Sequence, residues 1–187
     1  LCEKYVALMA DFYHLPSRAG GAVTDSKIVD AQSGYESMMN LFVDYQYHVN
    51  FILHAAGILD GYAASSAAKV IQDFEILRYI KRYFEDIEVN DDTVPMALMA
   101  EVDHDGEFLT SEHTFEHMGD ALVPTISSRG VVQDIPHQMD NQIQKQYDRL
   151  MAAYQQPEVD PAILAKAKEI LIAAGAEAPL LDQLETM

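Results

Sequence analysis

From Leu1 to Tyr13, apolar residues recur at Tyr5, Leu8, Met9 and Phe12, a spacing that predicts a helix. His14-Leu15-Pro16 ends it, because proline cannot continue a helix and restrains the residue before it. Ser17 to Thr24 reads as a short strand running into the pair Gly20-Gly21, and Asp30 as the N-cap of a second helix reaching about Val49. Asn50 breaks that helix. Phe51 to Ala56 is then a continuous apolar run around His54, as in a buried parallel strand. Gly57 to Ala64 reads as a loop. Ser65 to Phe84 reads as a long helix with apolar positions at Val70, Ile71, Phe74, Leu77, Ile80 and Phe84.

This alternation predicts an α/β fold with a parallel sheet, with glycine and polar residues gathered just after each strand. Beyond Phe84 the expected elements are a helix over Val89 to Val102 with Pro95 in its first turn, a turn at Asp103 to Gly106, and a short last strand at Phe108-Leu109. An irregular segment over Ser127 to Pro136 follows, then helices over Met139 to Tyr154 and Pro161 to Ala174, the latter entered by Asp160-Pro161. About three barrel-type strands can be counted, fewer than a closed barrel requires, so the chain reads as part of a larger protein. A start without methionine, in mid-helix, points the same way.

The 187 residues carry a formal net charge of −18, which disfavours nucleic acid and anionic membranes as partners. No apolar run approaches the roughly 20 residues of a membrane helix, and the start lacks the basic flank of a secretory signal. The single cysteine, Cys2, forms no intrachain disulfide, which fits the cytoplasm.

Four clusters offer chemistry. Gly20-Gly21 leads through Thr24-Asp25-Ser26-Lys27 into Asp30-Ala31-Gln32-Ser33-Gly34-Tyr35-Glu36, where Gln32, Tyr35 and Glu36 share helix faces and either line a pocket or form a capped, solvated helix start. His54 ends an apolar run before Ala55, Ala56 and Gly57, as a core histidine or as a ligand at a strand's carboxyl end. His113 and His117 have the spacing of a helical metal pair, yet Thr114 stands where a thermolysin-type site needs glutamate, and a solvated helix start explains them equally. Asp73 and Glu75 are two apart on a helix, so that one can face a pocket while the other is solvated.

As an ordered set, several residues resemble the C-terminal half of the trimethylamine methyltransferase family. They are Gly20-Gly21, Asp30-Ala31-Gln32-x-Gly34-Tyr35-Glu36, Asn50, His54-Ala55-Ala56-Gly57, Ser65 or Ser66 before Asp73-x-Glu75, and Phe108-Leu109 before His113-Thr114. The resemblance implies the C-terminal half of a (β/α)8 TIM-type barrel followed by C-terminal helices. Residues 1–126 would supply about the last three βα units, and 127–187 a helical extension of the same domain. It implies transfer of a methyl group from a methylated amine to the Co(I) of a corrinoid carried by a separate protein, with no metal held by this chain. Some members activate tertiary amines through pyrrolysine. No nonstandard residue stands in this sequence, which favours a quaternary amine such as a betaine.

On this resemblance His54, Gln32, Tyr35, Glu36, Gly20 and Gly21 contact or orient substrate, with Asp30, Asp73, Glu75 and His113 behind them. The implied partners are the corrinoid protein, the methylated amine, the N-terminal half of the barrel and further copies in a homo-oligomer. The isolated chain is then expected to demethylate no amine. Two rival readings are a non-catalytic binding or assembly module and a metal-dependent hydrolase using His113 and His117.

Overall fold

A computed structural model describes residues 1–131, 135–177 and Leu181. It contains α1 (Cys2–Phe12), β1 (Arg18–Gly21), α2 (Ala31–Gln46), β2 (Phe51–His54), β3 (Ile58–Leu59), β4 (Ala64–Ser65) and α3 (Ala67–Phe84). Further along lie α4 (Met96–Val102), α5 (Glu112–His117), α6 (Gln138–Ala153) and α7 (Pro161–Ala173). The chain divides into two compact units, Leu1–Asp148 and Arg149–Met187. The second contains α7, which starts on Asp160 as N-cap and Pro161 at its first position.

In the first unit β1 and β2 pair in parallel, with Arg18 opposite Phe51, Ala19 opposite Ile52 and Gly21 opposite His54. The α2 crossover between them makes a βαβ unit, the α/β arrangement that the hydrophobic pattern predicts. At the amino ends of the strands, the Asn50 side chain accepts from the Ser17 amide at 2.8 Å, and the Phe51 amide donates to the Ser17 carbonyl at 3.1 Å. Asn50 thus ties the start of β2 to the start of β1, while α2 itself ends earlier than the predicted Val49, at Gln46 with Tyr47 as its C-cap.

Helices α2 and α3 pack through most of their apolar stripes, whereas in α1 Tyr5, Leu8 and Phe12 of the predicted stripe are exposed and Ala7 is the buried residue. Leu41 of α2 and Ile76 and Ile80 of α3 are buried with Ala22, and Met38, Phe42, Ile52, Leu77 and Phe84 close around them. A second buried cluster joins Ile71 of α3, Ile126 and Ile143 of α6. Each fully buried aliphatic side chain contributes about 1.5–3 kcal/mol relative to exposure.

Several expectations need correction. The predicted loop over Gly57 to Ala64 contains a small antiparallel hairpin, β3 against β4, around a tight turn. The predicted helix over Val89 to Val102 forms only from Met96, with Pro95 as its N-cap, because proline's missing amide suits a helix start. Phe108-Leu109 is bend and turn, not strand, so only two parallel strands stand among the described residues and no closed barrel forms among them. Strand β2 is not buried on both faces: Phe51 and Leu53 remain 57% and 45% exposed, while Ile52 packs on the helices. Phe74 is likewise exposed, despite its place in the α3 pattern. Part of the predicted irregular segment, 132–134, and the end of the predicted C-terminal extension lie outside the described residues.

One core group opposes the fold. Asp44 of α2 is 1% exposed, and neither carboxylate oxygen has a partner among the described residues. Burial, then the nearby Glu3 carboxylate, raises it from 3.8 to about 7. The folded state therefore holds a proton that the unfolded chain releases first, so stability falls as pH rises from about 4 to 7. Asp44→Asn should be more stable than the parent chain by about 2–4 kcal/mol above pH 7, and equal to it below about pH 4. Urea unfolding at both ends of that range checks it.

Candidate functional site

Because β1 and β2 are parallel, Gly21 and His54 end side by side and both following loops leave from one edge. Gly21 has φ +83°, and a Cβ there would lie 2.6 Å from both the His54 carbonyl oxygen and Ile52 Cγ2. Only glycine lets the strands approach so closely. At Gly20 a Cβ would come within 3.0 Å of the Tyr62 hydroxyl and 3.2 Å of Glu3 Oε1, so these two side chains use the space that Gly20 leaves. The Gly20 amide donates to Glu3 Oε1 at 3.3 Å.

His54 stands edge-on to Tyr62, with ring centroids 4.7 Å apart and planes at 67°. Its Nδ1 is buried and has no partner among the described residues. Tyr62 is presented by an unusual turn. Asp60, Gly61 and Tyr62 have φ of 50°, 56° and 80°, three left-handed residues in succession, two of them with a Cβ. The loop after β1 holds this turn: the Ser26 and Thr24 carbonyls accept from the Asp60 and Gly61 amides at 2.9 and 3.0 Å. Lys27 adds an ion pair to Asp60 at 2.7 Å. The two strand-end loops are thereby joined into one rim, with backbone strain at its tip.

Helix α2 braces that rim. Glu36 accepts from the Thr24 hydroxyl at 2.5 Å, the Asp25 amide at 3.0 Å and Gln32 Nε2 at 3.0 Å. These bonds, that of Thr24 foremost, hold its carboxyl below the usual range. Asp30 caps α2 through the Ser33 amide at 2.8 Å, and Ser33 returns its hydroxyl to the Asp30 amide at 2.9 Å, a reciprocal capping box. Tyr35 points away from these contacts and is 63% exposed.

The expectation that one of Asp73 and Glu75 is solvated is wrong, because α3 is packed on two sides and both are buried. Asp73 pairs with Lys69 one turn earlier, both fully buried, and accepts from the Gly57 amide at 2.8 Å. Lys69 also donates to Ser37 of α2 at 2.6 Å. Burial pushes the Lys69 amine down and the Asp73 carboxyl up, against their mutual pairing. Burial also opposes the charge on Glu75. Bonds from the Thr125 hydroxyl at 2.7 Å and the Thr125, Ile126 and Ser127 amides at 2.9–3.3 Å outweigh it and hold the carboxyl below its usual value. Glu75 therefore anchors the segment that buries Ile126.

His113 and His117 lie outside this rim on α5, rings 4.3 Å apart. His113 Nε2 meets the Asp92 carbonyl oxygen at 2.5 Å. His117 Nδ1 meets Asp120 at 2.7 Å, which raises the imidazole's pKa. Among the described residues no three His, Cys, Asp or Glu side chains come together to hold a metal. No helix among them is long and apolar enough to cross a membrane.

The family model described as "Trimethylamine methyltransferase (MTTB)" matches residues 1–177. The chain belongs to the trimethylamine methyltransferase family. It is 37% identical over 175 residues to a glycine betaine methyltransferase of Desulfitobacterium hafniense (strain Y51), covering 91% of this chain and 36% of that protein. An L-carnitine:corrinoid methyltransferase of Eubacterium limosum is 29% identical over 157 residues, 80% of this chain and 32% of the relative. A trimethylamine methyltransferase, MttB, of Desulfitobacterium hafniense (strain DSM 10664 / DCB-2) is 34% identical over 113 residues, 60% of this chain and 23% of the relative. The chain thus spans about a third or less of the length of these relatives.

Within this member of the trimethylamine methyltransferase family, the fold gathers His54, Gly20 and Gly21 at the sheet end and sets Gln32, Glu36 and Asp30 behind them as braces. Tyr62, Glu3, Lys69 and Ser37 are the participants that sequence reasoning missed, while Thr24 stands in the polar run that it singled out after Gly20-Gly21. Asp60-Gly61 carried a turn signal for Tyr62, and Lys69 with Asp73 the spacing of a helical ion pair. If Glu36 holds the rim, Glu36→Ala should cost about 1–3 kcal/mol and expose the Asp25 amide to faster hydrogen exchange. Exchange mass spectrometry with thermal melting measures both.

Proposed function

We propose that the full-length protein carrying this chain transfers a methyl group from a methylated amine to the Co(I) of a corrinoid held by a separate protein. A betaine is the favoured donor. The observation that carries this reading is the His54–Tyr62 pair at the parallel strand ends, an imidazole edge-on to a tyrosine ring where both strand-end loops leave the sheet. A betaine needs a partner for its carboxylate and an aromatic surface for its quaternary ammonium, and this pair offers both. The 37% identity to a protein named glycine betaine methyltransferase supports the same choice.

The corrinoid cobalt is the methyl acceptor and supplies the nucleophilic chemistry. The N–CH3 bond breaks with its electron pair staying on nitrogen, so a quaternary ammonium leaves as a neutral amine. No general acid is required. This chain's task is to bind and aim: His54 holds the carboxylate, Tyr62 faces the methylammonium, and the braced loops fix both in line with the acceptor. The small residues Ala55 and Ala56 after His54 leave room for that approach. Tyr35, exposed on α2, is available to substrate or the corrinoid protein.

The two parallel strands belong, in this reading, to a (β/α)8 barrel whose other strands come from the rest of the polypeptide. The exposed Phe51 and Leu53 support this, since a barrel would cover them. The 187-residue chain alone then associates with further copies of itself and transfers no methyl group. A cytoplasmic location fits the lone cysteine.

Spectroscopic detection of the methylated corrinoid protein from glycine betaine, Co(I) corrinoid protein and full-length enzyme tests the reading. His54→Ala should lower kcat/KM about ten- to a hundredfold, the loss of one charge-assisted contact, with little change in Tm. A large fall in Tm with unchanged kinetics per folded molecule would instead make His54 a core residue.

A further inference from the structure

Asp73 serves two partners from a fully buried position. One oxygen takes Lys69, and the other takes the Gly57 amide at 2.8 Å. Removing two charges from water is costly, and well-packed apolar residues in place of a buried pair are often as stable or more so. Stability alone therefore gives little reason for a lysine and an aspartate here. Their position does. Gly57 is the third residue after His54, at φ +90°, and a Cβ on it would lie 2.6 Å from Val70 Cγ2. Its carbonyl accepts from the Ser66 amide at 3.0 Å, where α3 begins. At the other end of this run the His54 carbonyl accepts from the Ala22 amide at 2.9 Å. The run His54 to Gly57 is thus fastened at its start by the β1 loop and at its end by α3. The Asp73 bond joins its last amide to the helix interior.

We propose that Asp73, whose second oxygen is taken up by Lys69, is a positioning residue that fixes the His54–Gly57 turn and so aims the His54 imidazole at the methylated amine. This rests on the function proposed above. The neighbouring Ser37 hydroxyl, 2.6 Å from Lys69 Nζ, ties the pair to α2, so both helices flanking the sheet bear on the turn.

Two double variants separate positioning from stability. Lys69→Met with Asp73→Asn, and Lys69→Met with Asp73→Leu, both remove the buried charges, but only asparagine keeps an oxygen for the Gly57 amide. In the full-length enzyme the leucine pair should raise KM for glycine betaine about tenfold or more per folded molecule. KM for the corrinoid protein should not move, and the asparagine pair should stay within about threefold of the parent for both. In the 187-residue chain, hydrogen exchange at the Gly57 amide should quicken in the leucine pair and stay slow in the asparagine pair, a readout independent of turnover. A folded leucine pair with the parent's KM and slow Gly57 exchange overturns the proposal. So does an asparagine pair whose KM rises tenfold, and that arm stands even where the leucine pair does not fold. If the parent enzyme moves no methyl group from any amine, the proposed function fails instead, while the exchange comparison still reports whether Asp73 holds the turn.

Discussion

The close approach of two parallel strands at Gly21 and His54 governs the arrangement around it. With φ +83° and no room for a Cβ against the neighbouring carbonyl, Gly21 lets β1 and β2 stay paired to their last residues. Both loops then leave from the same edge and meet each other before their helices begin. There the Thr24 and Ser26 carbonyls accept from the Gly61 and Asp60 amides of the left-handed turn. That turn sets Tyr62 beside His54.

Polar residues carry much of the work of holding this edge together. Glu36 gathers the loop after β1, Asp73 the loop after β2, and Glu75 the distant segment at Thr125 to Ser127. Each carboxylate accepts backbone amides, which satisfies donors that the irregular loops would otherwise leave unpaired. Asp44 lacks any such return. It is as buried as Asp73 and Glu75 but without a donor among the described residues, and burial favours its protonated form.

Elements with a strong local signal were legible in the sequence. The Asp30 cap, the strand before His54 and the long helix ending at Phe84 follow from capping chemistry and from apolar period, and they form where expected within a few residues. Phe108-Leu109 shows the limit: two apolar residues satisfy a strand pattern without a neighbour to pair with, and here they form a turn. The site was half legible. His54 and the glycine pair stand at strand ends, a place that the alternation of elements predicts. Tyr62 stands in a strained turn that depends on backbone bonds from another loop, and Lys69 is a buried cation that pattern rules assign to the surface. Both depend on contacts between segments distant in sequence, which a periodicity cannot register.

The proposed function has one central claim, that a methylated amine binds against His54 and Tyr62, whose rings lie 4.7 Å apart at the strand ends. The most direct measurement is a crystal structure of the full-length protein with glycine betaine bound. The account predicts the ligand's carboxylate within hydrogen-bond reach of the His54 imidazole and its methyl groups against the Tyr62 ring. A betaine bound elsewhere, with His54 enclosed in the core and Tyr62 facing solvent, would contradict it.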